Sequence, residues 1–288
     1  MSSFQPKHIL CPTDFSEHSA AALRVAGGVA KAFGAKVIVL HAQRLEAPVY
    51  FTTAQTQALK AQLRRSARAA WNFVNNFAAE HLPKEAQYSV LLMEDDPVQA
   101  VLSVLRDARA GLVVMGTHGR TGLARVRMGS VMESVLRQVS APVLTVGPRI
   151  KPTPTLGTIR RVLCPVNYGE LSVAALEHAS ALAEKARAEL LVTHVLENRP
   201  EGEVSPEEGL KKLCAWVSPE VRRRCAVKEA IRRGNAAEQI VEEVKDCHAD
   251  LVVVGAHPRS FLGTILFGST TELVIRYAPC PVLAVIRK

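Results

Sequence analysis

Ile9-Leu10-Cys11-Pro12-Thr13-Asp14 returns 153 residues later as Val162-Leu163-Cys164-Pro165-Val166-Asn167. A short apolar run that ends in Pro and polar residues reads as a buried strand entering a loop. Working outward, Val37-Ile38-Val39-Leu40-His41 returns at the same shift as Leu190-Leu191-Val192-Thr193-His194. Val113-Val114-Met115-Gly116 returns as Val252-Val253-Val254-Gly255, now shifted by 139. Gly129-Ser130 returns as Gly268-Ser269, and Ala141-Pro142-Val143-Leu144 as Cys280-Pro281-Val282-Leu283, also by 139. The chain is an internal repeat. Its second copy is 14 residues shorter, all between His194 and Gly255.

Each copy alternates short β-branched runs with longer helical patterns. Strands are expected near 7–11, 36–41, 87–92, 111–115 and 142–146. Leu23, Ala26, Ala30 and Phe33 mark one helix face; Leu59, Leu63, Ala70, Phe73 and Phe77 mark another. Asp96-Pro97 reads as an N-cap and first helical position. The strands lack alternating polar residues, as expected when helices cover both faces. The order predicts an α/β fold: two tandem doubly wound, Rossmann-like domains of five parallel strands each. Residues 1–147 and 159–288 form the domains, and the Pro-, Gly- and Thr-rich segment 148–158 the linker. In such sheets ligands bind beyond the carboxyl ends of the strands, where the strand order reverses.

The 288 residues are 48% hydrophobic and 22% charged, which excludes global disorder, collagen-like repeats and a disulfide scaffold. No apolar run reaches the length of a membrane span. The polar stretch Met1 to Lys7 does not resemble a signal peptide, and none of the six cysteines forms a C-x-x-C pair. A reducing cytoplasm is therefore expected. A metal site built on Cys247-His248 or Cys214/Cys225 is a minor alternative. The net charge of +9 is uneven: residues 1–150 carry 17 Lys+Arg and 10 Asp+Glu, the remainder 19 and 17. That favours a small anionic ligand of the first copy over nucleic acid or a membrane surface. Aromatic residues are 5% of the chain and are not interleaved with basic ones, which argues further against RNA binding.

The loop after the fourth strand of copy one reads Gly116-Thr117-His118-Gly119-Arg120-Thr121-Gly122. Gly129-Ser130 follows and opens a helix. Glycines let backbone amides approach an anion, and a helix N-terminus adds unpaired N–H groups and positive potential. A plain strand-to-helix turn is the alternative. No G-x4-G-K-[ST] occurs, and Gly116, Gly119 and Gly122 lack the dinucleotide spacing.

The pattern Gly116-x2-Gly119-x9-Gly129-Ser130 resembles the nucleotide motif of the universal stress protein family. Pro12-Thr13-Asp14-Phe15-Ser16, the His41 strand end and the Ala141-Pro142-Val143-Leu144 strand are similar to that family as well, in matched order through both copies. The resemblance implies an adenine-nucleotide alpha-hydrolase-like fold and an ATP-binding stress-response sensor or regulator. It implies that Pro12, Thr13 and Asp14 hold adenine and ribose, and that Ala42 and Met115 flank the base. It places phosphates at Gly116, Gly119, Gly129, Ser130 and Val131, with Arg120 beside them and Mg²⁺ as a candidate companion of ATP. Asp14 can accept from a ribose hydroxyl or the adenine amino group; an N-cap role for the helix from Glu17 is the alternative. The resemblance also implies pairing of strands 142–146 and 281–285 into an intrachain pseudo-dimer, with a homodimer and a regulatory protein partner as further expectations.

Copy two departs where it matters. Asn167 replaces Asp14, and Pro258 replaces Gly119, removing a backbone donor. Arg120, Arg125 and Arg127 give way to Arg259 among Phe261, Leu262, Ile265, Leu266 and Phe267. Copy two then reads as a structural partner, or as a surface for an apolar ligand or protein. His118 and His257 read as loop histidines bonded to backbone, with catalytic or metal roles as alternatives. Trp71 and Trp216 read as packing residues, and Arg222-Arg223-Arg224 as solvated. No paired carboxylates or nucleophile–base motif is legible, so no catalytic residue is assigned. Slow ATP hydrolysis or phosphotransfer, and an interaction protein without nucleotide, remain the alternatives.

Overall fold

A computed structural model describes residues 4–43, 52–118, 128–147, 156–197, 204–256, 258–261 and 264–286; side chains are described outside 58–66, 156, 258–261 and 264–267. The first copy runs β1 (His8–Pro12), α1 (Glu17–Phe33), β2 (Lys36–Ala42), α2 (Thr53–His81), β3 (Tyr88–Met93), α3 (Pro97–Asp107), β4 (Leu112–Gly116), α4 (Ser130–Gln138) and β5 (Val143–Val146). The second runs β6 (Arg161–Pro165), α5 (Glu170–Ala186), β7 (Glu189–Leu196), α6 (Pro206–Trp216), α7 (Pro219–Arg224), β8 (Val227–Arg233), α8 (Ala236–Asp246) and β9 (Leu251–Ala256). A hairpin of β10 (Pro258–Phe261) and β11 (Thr264–Phe267) follows, then α9 (Ser269–Tyr277) and β12 (Val282–Ile286). Among the described residues no helix is long and apolar enough to cross a membrane.

One ten-stranded sheet has the order β3-β2-β1-β4-β5-β12-β9-β6-β7-β8. Pairing is parallel within each copy. At the centre β5 and β12 pair antiparallel, with Leu144 opposite Leu283 and Val143 opposite Ala284. Each strand thus covers what would be the open edge of the other copy. Thr145 Oγ1 adds a bond across this joint, donating to the Val282 carbonyl at 3.1 Å.

Helices cover both faces, which explains the unbroken apolar strands. On one face a core of α1, α2, α5 and the sheet runs through both copies, joining Leu23, Val37 and Leu144 to Leu190 and Leu283. On the other face α3, α4, α8 and α9 cover Leu10, Val113, Val252 and Ala284. Local signals set the helix ends. Ser16 caps α1 by accepting from Ser19 N–H, and Gly34, at φ 64°, closes it in the left-handed region. Asp96 accepts from Val98 and Gln99 N–H ahead of Pro97, as the sequence suggested.

Two packing expectations need correction. Trp71 and Phe73 of α2 are 44% and 59% exposed, so neither is a core residue. Phe73 lies on the flank of α2, edge-on to Phe15, and Ala70 is exposed as well; Val74 and Ala78 are buried in the core, with Phe77 packed against it as expected. Helical spacing identifies a face, but Phe73 stands one residue off the stripe that meets the sheet. Trp216 does pack, edge-on to Tyr168. The 14-residue difference between copies falls where α2 stands against the shorter α6 and α7. Two of the three arginines at the end of α7 are ion-paired, Arg222 with Glu229 and Arg224 with Glu220.

The copies also meet through Phe4, whose ring lies 4.6 Å from His178 of α5. Burial lowers the His178 pKa, outweighing the bond of its Nδ1 to the Ala174 carbonyl at 2.7 Å. Below the ordinary histidine pKa of about 6.5 the unfolded chain binds a proton that the native His178 resists. This site therefore stabilises the fold above that pH and loses its contribution as pH falls through it. We expect the urea midpoint to fall from pH 7.5 to 5.5, and to fall less in His178→Gln. An equal fall in both proteins would assign the acid sensitivity elsewhere.

Candidate functional site

The candidate site is built at the carboxyl ends of β1 and β4. These strands are neighbours in the sheet although three helices and two strands separate them in sequence. The order β3-β2-β1-β4-β5 reverses direction between them, and that is where a crevice opens in a doubly wound sheet.

The loop after β1 is held by its own short polar side chains. Thr13 N–H donates to the Leu40 carbonyl at 2.8 Å, tying the loop to β2. Thr13 Oγ1 donates to Ser19 Oγ at 3.1 Å, and Phe15 N–H donates to Thr13 Oγ1 at 3.2 Å. Asp14 Oδ1 accepts from Ser16 N–H at 3.1 Å and from Ser16 Oγ–H at 2.6 Å, an Asx turn. The helix cap is Ser16, so the capping alternative for Asp14 gives way to this turn. Phe15 sits at φ 64°, uncommon for a bulky residue, with its ring 4.5 Å from His41. His41 Nδ1 lies 2.8 Å from the Thr13 carbonyl oxygen. Sequence reasoning missed this arrangement, although the repeat carried its signal. Tyr168 at φ 65° packs its ring on His194 with centroids 4.5 Å apart and planes tilted by 47°, and His194 Nδ1 lies 2.8 Å from the Val166 carbonyl.

The copies provide an internal comparison. Asn167 Oδ1 accepts from Gly169 N–H at 3.1 Å and from Ser172 Oγ at 2.7 Å, repeating the Asx turn without a charge. The turn needs a side-chain oxygen, and the negative charge of Asp14 is not required by it.

The loop after β4 is pinned at both ends. Thr117 N–H donates to the Val146 carbonyl at 3.0 Å, and Gly129 N–H to the Thr117 carbonyl at 2.8 Å. Gly116 and Ser130, fourteen positions apart, are thereby brought to the same corner. Among the described residues Gly129 caps α4 with no side-chain hydrogen bond, next to an exposed Ser130 and half-buried Val131; the first-turn N–H groups of a helix have no intrahelical acceptor. Gly129 has φ −61°, so its glycine is not needed for a left-handed backbone. Gly116 has a different reason. A Cβ there would lie 2.8 Å from His18 Cβ and 3.0 Å from the His18 carbonyl carbon, so the first turn of α1 excludes any side chain. Gly255 meets Leu171 in the same way.

Of the other sequence-predicted residues, Pro12 and Ala42 are half-buried at the ends of β1 and β2, and Met115 is buried in β4. Gly119 and Arg120 lie outside the described residues, as do Arg125 and Arg127. His118 Nδ1 lies 2.9 Å from Thr117 Oγ1, and His257 lies outside the described residues. In copy two the segment holding Pro258 forms the β10–β11 hairpin, with Pro258 opposite Phe267. Among the described residues no three His, Cys, Asp or Glu side chains gather as a metal site, Cys247-His248 and Cys214/Cys225 included. All six cysteines are free thiols, and burial pushes the pKa of Cys11, Cys164 and Cys280 upward.

Comparison with known proteins agrees with this architecture. The model of the universal stress protein family matches residues 6–147 and again 158–285, and the chain belongs to that family. It is 28% identical over 295 residues to a universal stress protein of Mycolicibacterium smegmatis, covering 96% of both chains. It is 31% identical over 140 residues to a universal stress protein of Thermus aquaticus, covering 49% of this chain and 98% of that protein. Among solved structures, a universal stress protein from Archaeoglobus fulgidus superposes with a TM-score of 0.73 at 21% identity, over 99% of this chain and all of that one. That likeness concerns the fold.

Proposed function

We propose that the first copy binds an adenine nucleotide, ATP with or without Mg²⁺, and that occupancy alters a surface read by a regulatory protein during stress. The observation that carries this reading is the meeting of three elements at one corner: the Asp14 loop, Gly116-Thr117, and the first turn of α4. In this reading Pro12, Thr13 and Asp14 hold the nucleoside, Asp14 accepting from a ribose hydroxyl. Ala42 and Met115 flank the base. The N–H groups at Ser130 and Val131, with Gly116, Gly129 and Ser130 Oγ, hold the phosphates. Gly119 and Arg120 join them on the family motif. The second copy, with Asn167 and Pro258 at the matching positions, serves mainly as its partner in the sheet. The free, buried thiols of Cys11, Cys164 and Cys280 fit a reducing compartment such as the cytoplasm.

The test is nucleotide recovered from purified protein by acid, followed by calorimetry on stripped protein. No adenine nucleotide and no heat at millimolar ATP would overturn the reading. Gly119→Pro, which copies the second domain, removes one N–H donor to a charged phosphate. We expect affinity to fall about ten- to a hundredfold, from a loss of roughly 1.5–3 kcal/mol. Unchanged affinity would place the phosphates elsewhere.

A further inference from the structure

Among the described residues the ten-stranded sheet ends on β3 in the first copy and on β8 in the second. The two strands hold equivalent places: Tyr88 pairs with Val37 of β2 as Val227 pairs with the matching Leu190 of β7. Their side chains differ in kind. β8 carries Lys228, Glu229, Arg232 and Arg233, whereas β3 reads Tyr88-Ser89-Val90-Leu91-Leu92-Met93. An edge strand without charge, Pro or Gly is a template for further pairing.

The backbone of β3 is oriented for it. The Gln87 carbonyl accepts from Val37 N–H at 2.9 Å and the Met93 carbonyl from Gln43 N–H at 3.0 Å, so both point to β2. Backbone groups alternate in direction along a strand, so those of Tyr88, Val90 and Leu92 point off the edge of the sheet. Among the described residues no other strand pairs with them. Side chains alternate as well. Tyr88, Val90 and Leu92 pack against the core on the α2 side, and Leu91 turns to the other face, where it is 37% exposed.

We propose that β3 is the interface with a second copy of this chain. Two β3 strands pair antiparallel about a two-fold axis at Leu91 and join two ten-stranded sheets. Facing residues must share a face of the sheet, so their positions differ by an even number, and an axis at Leu91 satisfies this. It bonds Val90 to the partner's Leu92 through the outward backbone groups. It sets Leu91 against the partner's Leu91 at a non-hydrogen-bonded position, where Cα atoms approach to about 4.5 Å.

Charge selects this arrangement. With the axis at Leu91 every facing pair within β3 is uncharged, and Glu94 and Asp95, just beyond the strand, oppose Tyr88 and Gln87. An axis at Val90 sets Asp95 against Glu85 instead, a like-charge pair. The same geometry on β8, with its axis at Ala230, sets Lys228 against Arg232 twice, which is repulsive. Pairing β3 on β8 sets those charges against apolar side chains and propagates head to tail, whereas β3 on β3 closes as a dimer. The inference does not depend on the nucleotide reading.

Sedimentation velocity of the full chain over a micromolar concentration series tests it, and a dimer is expected. Leu91→Lys, at an exposed position, brings two ammonium groups together at the axis and should weaken dimerisation at least about tenfold. Ala230→Lys, the matching change on β8, should leave it unchanged. Leu91→Cys reads the register: a mild oxidant should give a reducible cross-linked dimer. Ser89→Cys, and the parent with its exposed Cys214, should not. A chain that stays monomeric, a dimer that survives in folded Leu91→Lys, or assemblies larger than a dimer would overturn the proposal. If Leu91→Lys does not fold, absence of the Leu91→Cys cross-link overturns it.

Discussion

Replacing Arg232 by Met is expected to lower the unfolding free energy by about 3–5 kcal/mol. Arg232 lies on β8, at one edge of the ten-stranded sheet. Its Nε donates to Glu243 Oε2 of α8, and its Nη2 donates to Asp246 Oδ2 at 2.6 Å. The Glu243 side chain is 7% exposed, so its charge depends on the arginine for compensation. Removing Arg232 alone leaves a carboxylate buried without its cation, and that residual charge causes most of the loss. The double variant Arg232→Met with Glu243→Met removes both charges and should recover most of the stability, since apolar replacement of a buried pair is often near neutral. Urea unfolding followed by circular dichroism reads both proteins. A single-variant loss below about 1 kcal/mol would assign the pair the weak role of a surface bridge. Lys228 and Glu229 of the same strand are also ion-paired, with Glu189 of β7 and Arg222 of α7, so this edge is lined with charge. Such lining discourages pairing with another sheet.

Leu283→Ala should cost about 2–5 kcal/mol, the range for emptying a buried leucine site. Leu283 is 1% exposed on β12, directly opposite Leu144 of β5 across the antiparallel joint. It already borders a small apolar cavity with Leu112, Leu144, Leu182 and Leu251, so the truncation enlarges a void rather than filling by collapse. The same cavity is bordered by both copies, so the effect should fall on the joint. One cooperative transition with a lower midpoint is expected. A second, independently unfolding step would show instead that the truncated joint no longer couples the two copies.

Much of this fold can be read along the chain. Strand runs such as Val37 to Leu40 are apolar on both faces, and that periodicity requires cover on each side. Asp96-Pro97 begins a helix by short-range chemistry that needs no tertiary context, whereas the cap of α1 falls on Ser16 and not on Asp14. The returning segments at shifts of 153 and 139 disclose two copies and the shorter second one. The edges of α2 were less legible. Phe73 fits a helical spacing, but the face of α2 that meets the sheet runs through Val74 and Ala78, one residue away.

The candidate site divides in the same way. Gly116, Gly129 and Ser130 are conspicuous in sequence, yet their reasons differ. Gly116 answers to the first turn of α1 at 2.8 Å, a contact no local rule contains. The charge of Asp14 stands out only when its Asx turn is set against the neutral one at Asn167. His18 carries no motif at all; it becomes notable because β1 and β4 are sheet neighbours.

By itself, then, the sequence determined the repeat, the parallel α/β class, the family resemblance, and the positions at which the second copy departs. These follow from periodicity, capping and spacing, which act over a few residues or repeat verbatim. Tertiary structure alone decided the rest. It set the antiparallel register of β5 on β12, whose pairing the resemblance had implied, closed the Thr117–Gly129 loop at its base, and brought the His18 and His118 rings to 5.7 Å. Each of those depends on segments separated in the chain being brought together by the order of strands in the sheet, and chain-local physics holds no record of that order.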